Sequence, residues 1–144
     1  MSGMVLDTNV LSELMRPHPD AGVVTWFADR NQTPFLVTAI TRAEIMLGIE
    51  LLPSGRRRDG LAKAAGQMFS EEFGRSCLPF DDQAADLYAM IVAARTRAGQ
   101  PISTEDAQIA AISLAHGLPL VTRNTRDFAN IDGLHTVDPW SDEG

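Results

Sequence analysis

Five short apolar runs, separated by stretches with a helical pattern, constrain the fold of this chain more than any other feature. The three clearest are Met4-Val5-Leu6, Phe35-Leu36-Val37-Thr38 and Leu118-Pro119-Leu120-Val121-Thr122, and two weaker ones are Cys77-Leu78-Pro79-Phe80 and Leu134-His135-Thr136-Val137. Continuous apolar runs of this length are typical of strands buried on both faces of a parallel sheet. We therefore predict an α/β fold, a three-layer α/β/α sandwich around a central, mainly parallel sheet of about five strands.

Helical patterns occupy the stretches between these runs. The stretch from Ser103 to His116 is apolar on nearly every side after its first turn, which predicts a central helix packed on both faces. No linker or repeat interrupts the sequence, so we expect residues 1–144 to form one domain. The predicted helices span Thr8 to about Met15, Asp20 to about Arg30, Thr41 to about Leu52, Arg56 to Gly74, Asp81 or Asp82 to Gly99, Ser103 to His116 and Asn124 to Asn130.

The composition excludes several classes of protein. Cys77 is the only cysteine, which rules out an internal disulfide bond and a thiolate zinc cluster. No apolar run approaches the roughly 20 residues that span a bilayer, and no signal peptide is recognisable, so we expect a cytoplasmic protein without a membrane partner. The net charge of -7 is unfavourable for binding a nucleic acid unless the negative charges are clustered and bind cations.

Polar and acidic residues follow the predicted strands where the chain enters the next helix. Asp7 ends the first strand, Glu44 lies in the first turn of the helix after the second, and Asp106 lies in the first turn of the buried helix. Asn124 and Asp127 follow the fourth strand. The carboxyl ends of parallel strands open on one edge of the sheet, so we expect these side chains to lie close together. Clustered carboxylates raise one another's pKa unless a cation joins them, and ligands that are all oxygen favour Mg²⁺ or Mn²⁺.

Helix capping is a simpler explanation for each acid taken alone. Thr41-x-x-Glu44 and Ser103-x-x-Asp106 match the capping-box pattern, and Asp7 can cap the helix that follows it. Capping does not predict, however, that the acids of separate helices gather at one edge of the sheet. A divalent cation at that edge would orient a phosphate oxygen and lower the pKa of a bound water that attacks phosphorus.

Four stretches, in order along the chain, carry a family resemblance. They are Leu6-Asp7-Thr8-Asn9-Val10-Leu11, Thr41-x-x-Glu44-x-x-x-Gly48, Asp106-Ala107-Gln108-Ile109-Ala110-Ala111 and Val121-Thr122-Arg123-Asn124-Thr125-Arg126-Asp127-Phe128. Together they resemble the PIN-domain ribonucleases, and more narrowly the VapC and FitB toxins of bacterial type II toxin–antitoxin modules. The resemblance implies a PIN-like fold and a Mg²⁺-dependent endoribonuclease, in which Mn²⁺ can substitute. It also implies a cognate small antitoxin of the VapB or FitA kind, a homodimer, and a heterotetramer or larger assembly with that antitoxin.

The resemblance assigns roles to residues at the first three motifs. Asp7 and Asp106 match the principal metal ligands of the family. Glu44 matches its third acid, as a metal ligand or a general base. Thr8 or Asn9 would position water or substrate.

The fourth motif is where the chain departs from some relatives, which have Asp directly after Thr-Arg. This chain has Asn124 there, and its next acid, Asp127, lies three residues later. The resemblance leaves open which of the two fills the fourth acidic position of the site. Because Asn124 adds no negative charge, we expect one strongly bound metal rather than two. Arg123, beside it, would help to position water or substrate.

Two other functions share some of these sequence features. A phosphatase of the haloacid dehalogenase kind also begins with an Asp after its first strand, but it needs a second Asp two residues later, where this chain has Asn9. A non-catalytic PIN-like module that binds RNA or a protein is compatible with the sequence. The presence of Asp7, Glu44 and Asp106 argues against such a module.

Overall fold

The computed structural model describes residues 2–141, and within them a five-stranded sheet forms the middle layer. All of its pairings are parallel, and the strand order is β3-β2-β1-β4-β5, so the first strand lies at the centre. The strands are β1 (Met4–Leu6), β2 (Phe35–Thr38), β3 (Cys77–Leu78), β4 (Leu120–Val121) and β5 (Thr136–Val137). The predicted α/β/α architecture is confirmed, with strands shorter than the apolar runs. Pro79 and Pro119 lie in the parts of the apolar runs that do not form strands, and proline has no N–H to donate to a neighbouring strand.

Six α-helices connect and follow the strands in the described residues. They are α1 (Thr8–Leu14), α2 (Ala21–Ala28), α3 (Ala39–Glu50), α4 (Arg56–Gln67), α5 (Asp82–Arg97) and α6 (Thr104–Ala115). Asp20 and Asp81 cap α2 and α5 by accepting hydrogen bonds from backbone N–H groups three residues later. A π-helical turn, Met68–Glu72, continues α4 and replaces the last part of the predicted helix to Gly74. A 3₁₀ turn, Thr125–Phe128, replaces the predicted helix Asn124 to Asn130.

Two hydrophobic cores lie on opposite faces of the sheet, because successive side chains of a strand point to opposite sides. On one face α5 and α6 cover Val5, Leu36 and Leu120. On the other, α1 to α4 and the π-helical turn cover Leu6, Val37 and Val121. The fully buried side chains of the second core include Trp26 and Phe69.

Helix α6 is buried on most of its circumference, as its sequence predicts. Ala107 and the run from Ile109 to Ser113 are all buried. Gly117 follows the helix with a φ of 64°, the left-handed conformation that glycine adopts without strain and that ends many helices. Because α6 is packed on several sides, the position of its first turn, which carries Asp106, is set by the packing of the rest of the helix.

No helix among residues 2–141 is both long and apolar enough to cross a membrane.

Candidate active site

Asp7 lies directly after the central strand β1, at the carboxyl edge of the sheet. Its side chain is only 4% exposed. One carboxylate oxygen, Oδ1, accepts a hydrogen bond from the Thr8 N–H at 2.8 Å. The other, Oδ2, accepts from the Thr122 hydroxyl at 2.8 Å and from Asn9 Nδ2 at 3.3 Å. Asp7 therefore caps α1, as one sequence hypothesis proposed, and is also fixed by the residue that follows β4.

Burial raises the pKa of Asp7 from 3.8 to about 6. The hydrogen bonds from Thr122 and Thr8 oppose this shift, while the negative charges of Asp106 and Glu44 add to it. The sign is informative, because a carboxylate that served only as a helix cap would be stabilised in its charged form by its donors. In Asp7 burial, with a smaller contribution from the charges of Asp106 and Glu44, outweighs these donors and disfavours the charged form.

Glu44 is joined to Asp7 through Thr8, whose backbone N–H donates to Asp7 and whose hydroxyl donates to Glu44 Oε1 at 2.6 Å. The same Thr8 oxygen lies 2.9 Å from the hydroxyl of Thr41. Since Thr8 uses its single proton on Glu44, Thr41 is the donor in that pair. The three side chains form a chain of hydrogen bonds between the starts of α1 and α3.

The predicted capping box at Thr41 and Glu44 is wrong. Thr38, the last residue of β2, caps α3 by accepting a hydrogen bond from the Thr41 N–H at 3.1 Å. The helix consequently begins at Ala39, and Glu44 lies in its second turn rather than its first. The Thr41 hydroxyl faces Thr8 instead of capping the helix, so Glu44 is free to face the site.

Asp106 lies in the first turn of α6, as predicted, and Ser103 caps that helix by accepting from the Asp106 N–H at 3.1 Å. The reciprocal bond of a capping box, from the Ser103 N–H to the Asp106 carboxylate, is absent from the hydrogen bonds of residues 2–141. Burial is the main cause that raises the pKa of Asp106; the side chain of Ser103 opposes the rise by hydrogen bonding to the carboxyl group, and the charges of Asp127, Glu44 and Glu105 add to it. Asp106 lines a cleft beside Ser103.

The segment after β4 brings Asp127 to Asp106. Both residues line a cleft of about 200 Å³ together with Ser103 and Arg95. Asn124 is exposed and donates its backbone N–H to the Thr122 hydroxyl at 3.1 Å. The negative charge opposite Asp106 therefore comes from Asp127, three residues beyond the position at which some relatives have their acid.

Arg123 reaches the site through its backbone. Its N–H donates to Asn9 Oδ1 at 3.2 Å, and Asn9 in turn donates to Asp7. The guanidinium of Arg123 lies over the ring of Trp140, 4.8 Å from the ring centroid. The guanidinium is thus held by Trp140, and the side chain is exposed to solvent.

Two threonines of the site, Thr122 and Thr41, were not predicted from the sequence. Both are buried, and their hydroxyls fix the Asp7 carboxylate and the hydroxyl of Thr8. Thr122 had a usable signal, because it follows β4 at the same edge at which Asp7 follows β1. No sequence pattern identified Thr41 as a site residue, because its hydroxyl could equally well cap the helix in which it lies.

The carboxylate oxygens of this site have the chemistry that a hard divalent cation favours, although they are not already arranged to coordinate one. Within residues 2–141, no three acidic, His or Cys side chains are grouped closely enough to hold a metal ion as they stand. Asp7 and Asp106 nevertheless have raised pKa values with Glu44 as a common cause, so a cation among the three would relieve their repulsion. Carboxylate oxygens are the ligands that Mg²⁺ and Mn²⁺ favour.

The model of the PIN domain family matches residues 4–134 of this chain. The chain belongs to the PIN-domain family. It is 36% identical over 139 residues to Toxin FitB of Neisseria gonorrhoeae, an alignment that covers 96% of this chain and 99% of FitB. It is 37% identical over 138 residues to VapC ribonuclease Y4jK of Sinorhizobium fredii, covering 95% of this chain and 97% of that protein.

Solved PIN-domain structures have the same fold. A chain in a structure of FitAB bound to an IR36 DNA fragment superimposes with a TM-score of 0.89 at 35% identity, covering 98% of both chains. The resemblance inferred from the four motifs is thereby confirmed, and so is the PIN-like sheet. PIN-domain ribonucleases generally depend on divalent metal ions, which agrees with the uncompensated acids of this site.

Proposed function

We propose that this chain is the toxin of a type II toxin–antitoxin module, a single PIN domain that acts in the cytoplasm as a Mg²⁺-dependent endoribonuclease in which Mn²⁺ can substitute. One observation carries the proposal: three acids from separate elements meet at the carboxyl edge of the sheet, where the charges of Asp106 and Glu44 help to raise the pKa of Asp7 and the charge of Glu44 helps to raise that of Asp106. The names of two relatives support it, because one is a toxin and another a VapC ribonuclease.

In this proposal Asp7, Asp106 and Glu44 hold the cation. When bound, the cation lowers the pKa of a water molecule and stabilises the charge that develops on the phosphate. Glu44 is half-buried, and its Oε1 is fixed by Thr8, so it is oriented either to bind the cation or to take a proton from the attacking water. Asn9 orients Asp7 and the Arg123 backbone together, and Arg123 provides a positive charge for the RNA backbone beside a site that is otherwise acidic.

The proposed partners follow from the same charges. A small antitoxin of the FitA or VapB kind can neutralise the toxin by offering an Arg to the acids, where a guanidinium forms strong charge-assisted hydrogen bonds. A chain of the FitAB structure superimposes closely on this chain, which supports a partner of the FitA kind. We further propose a homodimer and a heterotetramer or larger assembly with the antitoxin.

The direct test uses the purified chain, free of antitoxin, and total cellular RNA. Incubation with Mg²⁺ or Mn²⁺ should produce discrete cleavage products, and incubation with EDTA should produce none. If the chain retains RNA on a filter but does not cleave it with either cation, it is a non-catalytic PIN-like module and the proposal is refuted.

Replacing Thr8 by Val should slow RNA cleavage about tenfold without unfolding the protein, because outer residues that orient a ligand typically contribute that much. Valine has the shape of threonine but cannot donate to Glu44. The matched control is Thr8→Ser, which keeps the hydroxyl and should cleave at nearly the wild-type rate. Equal rates for the Val and Ser variants would show that the Thr8–Glu44 hydrogen bond is irrelevant to cleavage.

Cation affinity should decrease as the pH is lowered through about 6. Asp7 must be ionised to bind a cation, and its raised pKa means that the folded chain protonates it near pH 6 rather than near 3.8. Calorimetric titration with Mn²⁺ should give clearly weaker binding at pH 5 than at pH 7.5. If the affinity for Mn²⁺ stays constant across this pH range, Asp7 is not a ligand of the cation.

A further inference from the structure

Arg95 is a buried cation beside the acidic cleft whose role the proposed function does not explain. It lies near the end of α5 and is only 8% exposed. No carboxylate among residues 2–141 forms an ion pair with it. A buried charge is costly unless it is well hydrogen-bonded, so the bonds of this guanidinium indicate what it does.

All of its hydrogen bonds go to backbone carbonyls. Nε donates to the Gln100 carbonyl at 2.7 Å, and Nη1 donates to the carbonyls of Asp127 and Ala129 at 3.1 Å each. Gln100 returns toward the helix because Gly99 adopts a left-handed conformation, and the Gln100 N–H donates to the Arg95 carbonyl. One guanidinium thus joins the end of α5 to the 3₁₀ turn.

The 3₁₀ turn is a short segment that needs such an anchor. It has four residues, of which Phe128 is buried, and the Asp127 side chain is exposed. Its backbone hydrogen bonds include those from the Asp127 N–H to the Asn124 carbonyl at 2.9 Å and from the Ala129 N–H to the Arg126 carbonyl at 3.3 Å. The direction of the Asp127 carboxylate therefore depends on contacts to the backbone on either side of Phe128, and these are the contacts that Arg95 makes.

The carboxylate so oriented faces the proposed site. Asp127 lines the same cleft as Asp106, with Arg95 in its wall. The charge of Asp127 is one of the causes that raise the pKa of Asp106, which places the two carboxylates within electrostatic reach. A shift of the 3₁₀ turn would separate them.

We propose that Arg95 is a positioning residue, which anchors the 3₁₀ turn so that the Asp127 carboxylate adds its charge to the cation site at Asp106. The inference rests on the proposed function, since it assumes that a divalent cation binds there. It also assigns the fourth acidic position of this chain to Asp127 rather than to Asn124.

The experiment measures Mn²⁺ affinity by calorimetry for the full chain, together with thermal unfolding and RNA cleavage. Arg95→Met should weaken Mn²⁺ binding about tenfold, and Asp127→Asn should do the same, in the range typical of residues around a metal site. The double variant Arg95→Met/Asp127→Asn should be no weaker than Asp127→Asn alone, because Arg95 acts through Asp127. Arg97→Met, an exposed arginine two residues along the same helix, is the matched control and should bind as the wild type does.

A purely structural role gives a different pattern. If Arg95→Met lowers the unfolding temperature but leaves Mn²⁺ affinity unchanged, or if the two losses of affinity multiply in the double variant, the proposal is wrong. Should Arg95→Met fail to fold, Arg95→Lys replaces it throughout, since Lys keeps the charge but cannot bond to both groups of carbonyls at once. Failure of the wild type itself to bind Mn²⁺ would instead refute the proposed function.

Discussion

The Asp7→Asn variant should lose RNA cleavage on the order of a thousandfold, since a bound cation supplies several kcal/mol of transition-state stabilisation. The same variant should be more stable than the wild type in EDTA above pH 7. Asparagine has nearly the same shape, its Oδ1 can accept from the Thr8 N–H, and its Nδ2 can donate to the Thr122 hydroxyl. The substitution therefore removes the charge but retains the helix cap.

The gain in stability follows from the raised pKa of Asp7. A carboxyl whose pKa rises from 3.8 to about 6 on folding binds its proton more tightly in the folded chain, so its charge destabilises the fold increasingly between those pH values. Above pH 6 the full cost is roughly 3 kcal/mol, which Asp7→Asn relieves. Urea unfolding at pH 8 and at pH 4 checks both parts: the advantage of the variant should be present at pH 8 and nearly absent at pH 4.

If Asp7→Asn is less stable than the wild type at pH 8 and still cleaves RNA, both expectations are wrong. Asp7 would then serve chiefly as the cap of α1, and the metal-site hypothesis would fail.

The second large effect is expected at the start of α6, where Asp106 lines the cleft and its neighbour Glu105 does not. Asp106→Asn should slow cleavage at least about a hundredfold, because it removes a proposed ligand of the cation. Glu105→Gln should cleave at close to the wild-type rate, since Glu105 is exposed and does not line the cleft. Both changes remove one negative charge from the same helical turn, so their helix-dipole effects are similar.

Initial cleavage rates of the two variants at saturating Mg²⁺, with matched circular dichroism spectra, provide the comparison. Equal losses in both would mean that general charge near α6 matters rather than a cation held at Asp106. Equal rates in both would exclude Asp106 from the reaction.

The architecture was predictable from sequence because it depends on local patterns. Continuous apolar runs such as Phe35–Val37 indicate buried strands whatever lies beside them, and alternation with helices indicates a parallel sheet. The order of the strands was not predicted, because it depends on which strands pair across long separations in sequence. Asp7 and Asp106 were found for the same local reason, since each lies at a recognisable junction between elements.

The interior of the site was less predictable because its contacts compete with equally good local ones. Thr38 and Thr41 can each cap α3, and the sequence pattern favoured Thr41. The structure uses Thr38, since the Thr41 hydroxyl bonds to Thr8, 33 residues away in the chain. The sequence favoured a solvated helix face for Arg95 and Arg97, because bonds from Arg95 to carbonyls more than 30 residues away leave no local pattern; the structure instead buries Arg95.

The central claim is that Asp7, Glu44 and Asp106 support hydrolysis of RNA by water with a divalent cation. It is tested most directly by cleaving RNA in oxygen-18 water and analysing the new ends by mass spectrometry. The proposed function predicts a terminal phosphate that carries one solvent oxygen in Mg²⁺, and no cleavage in EDTA. A 2′,3′-cyclic phosphate without solvent oxygen, or cleavage that persists in EDTA, would contradict it.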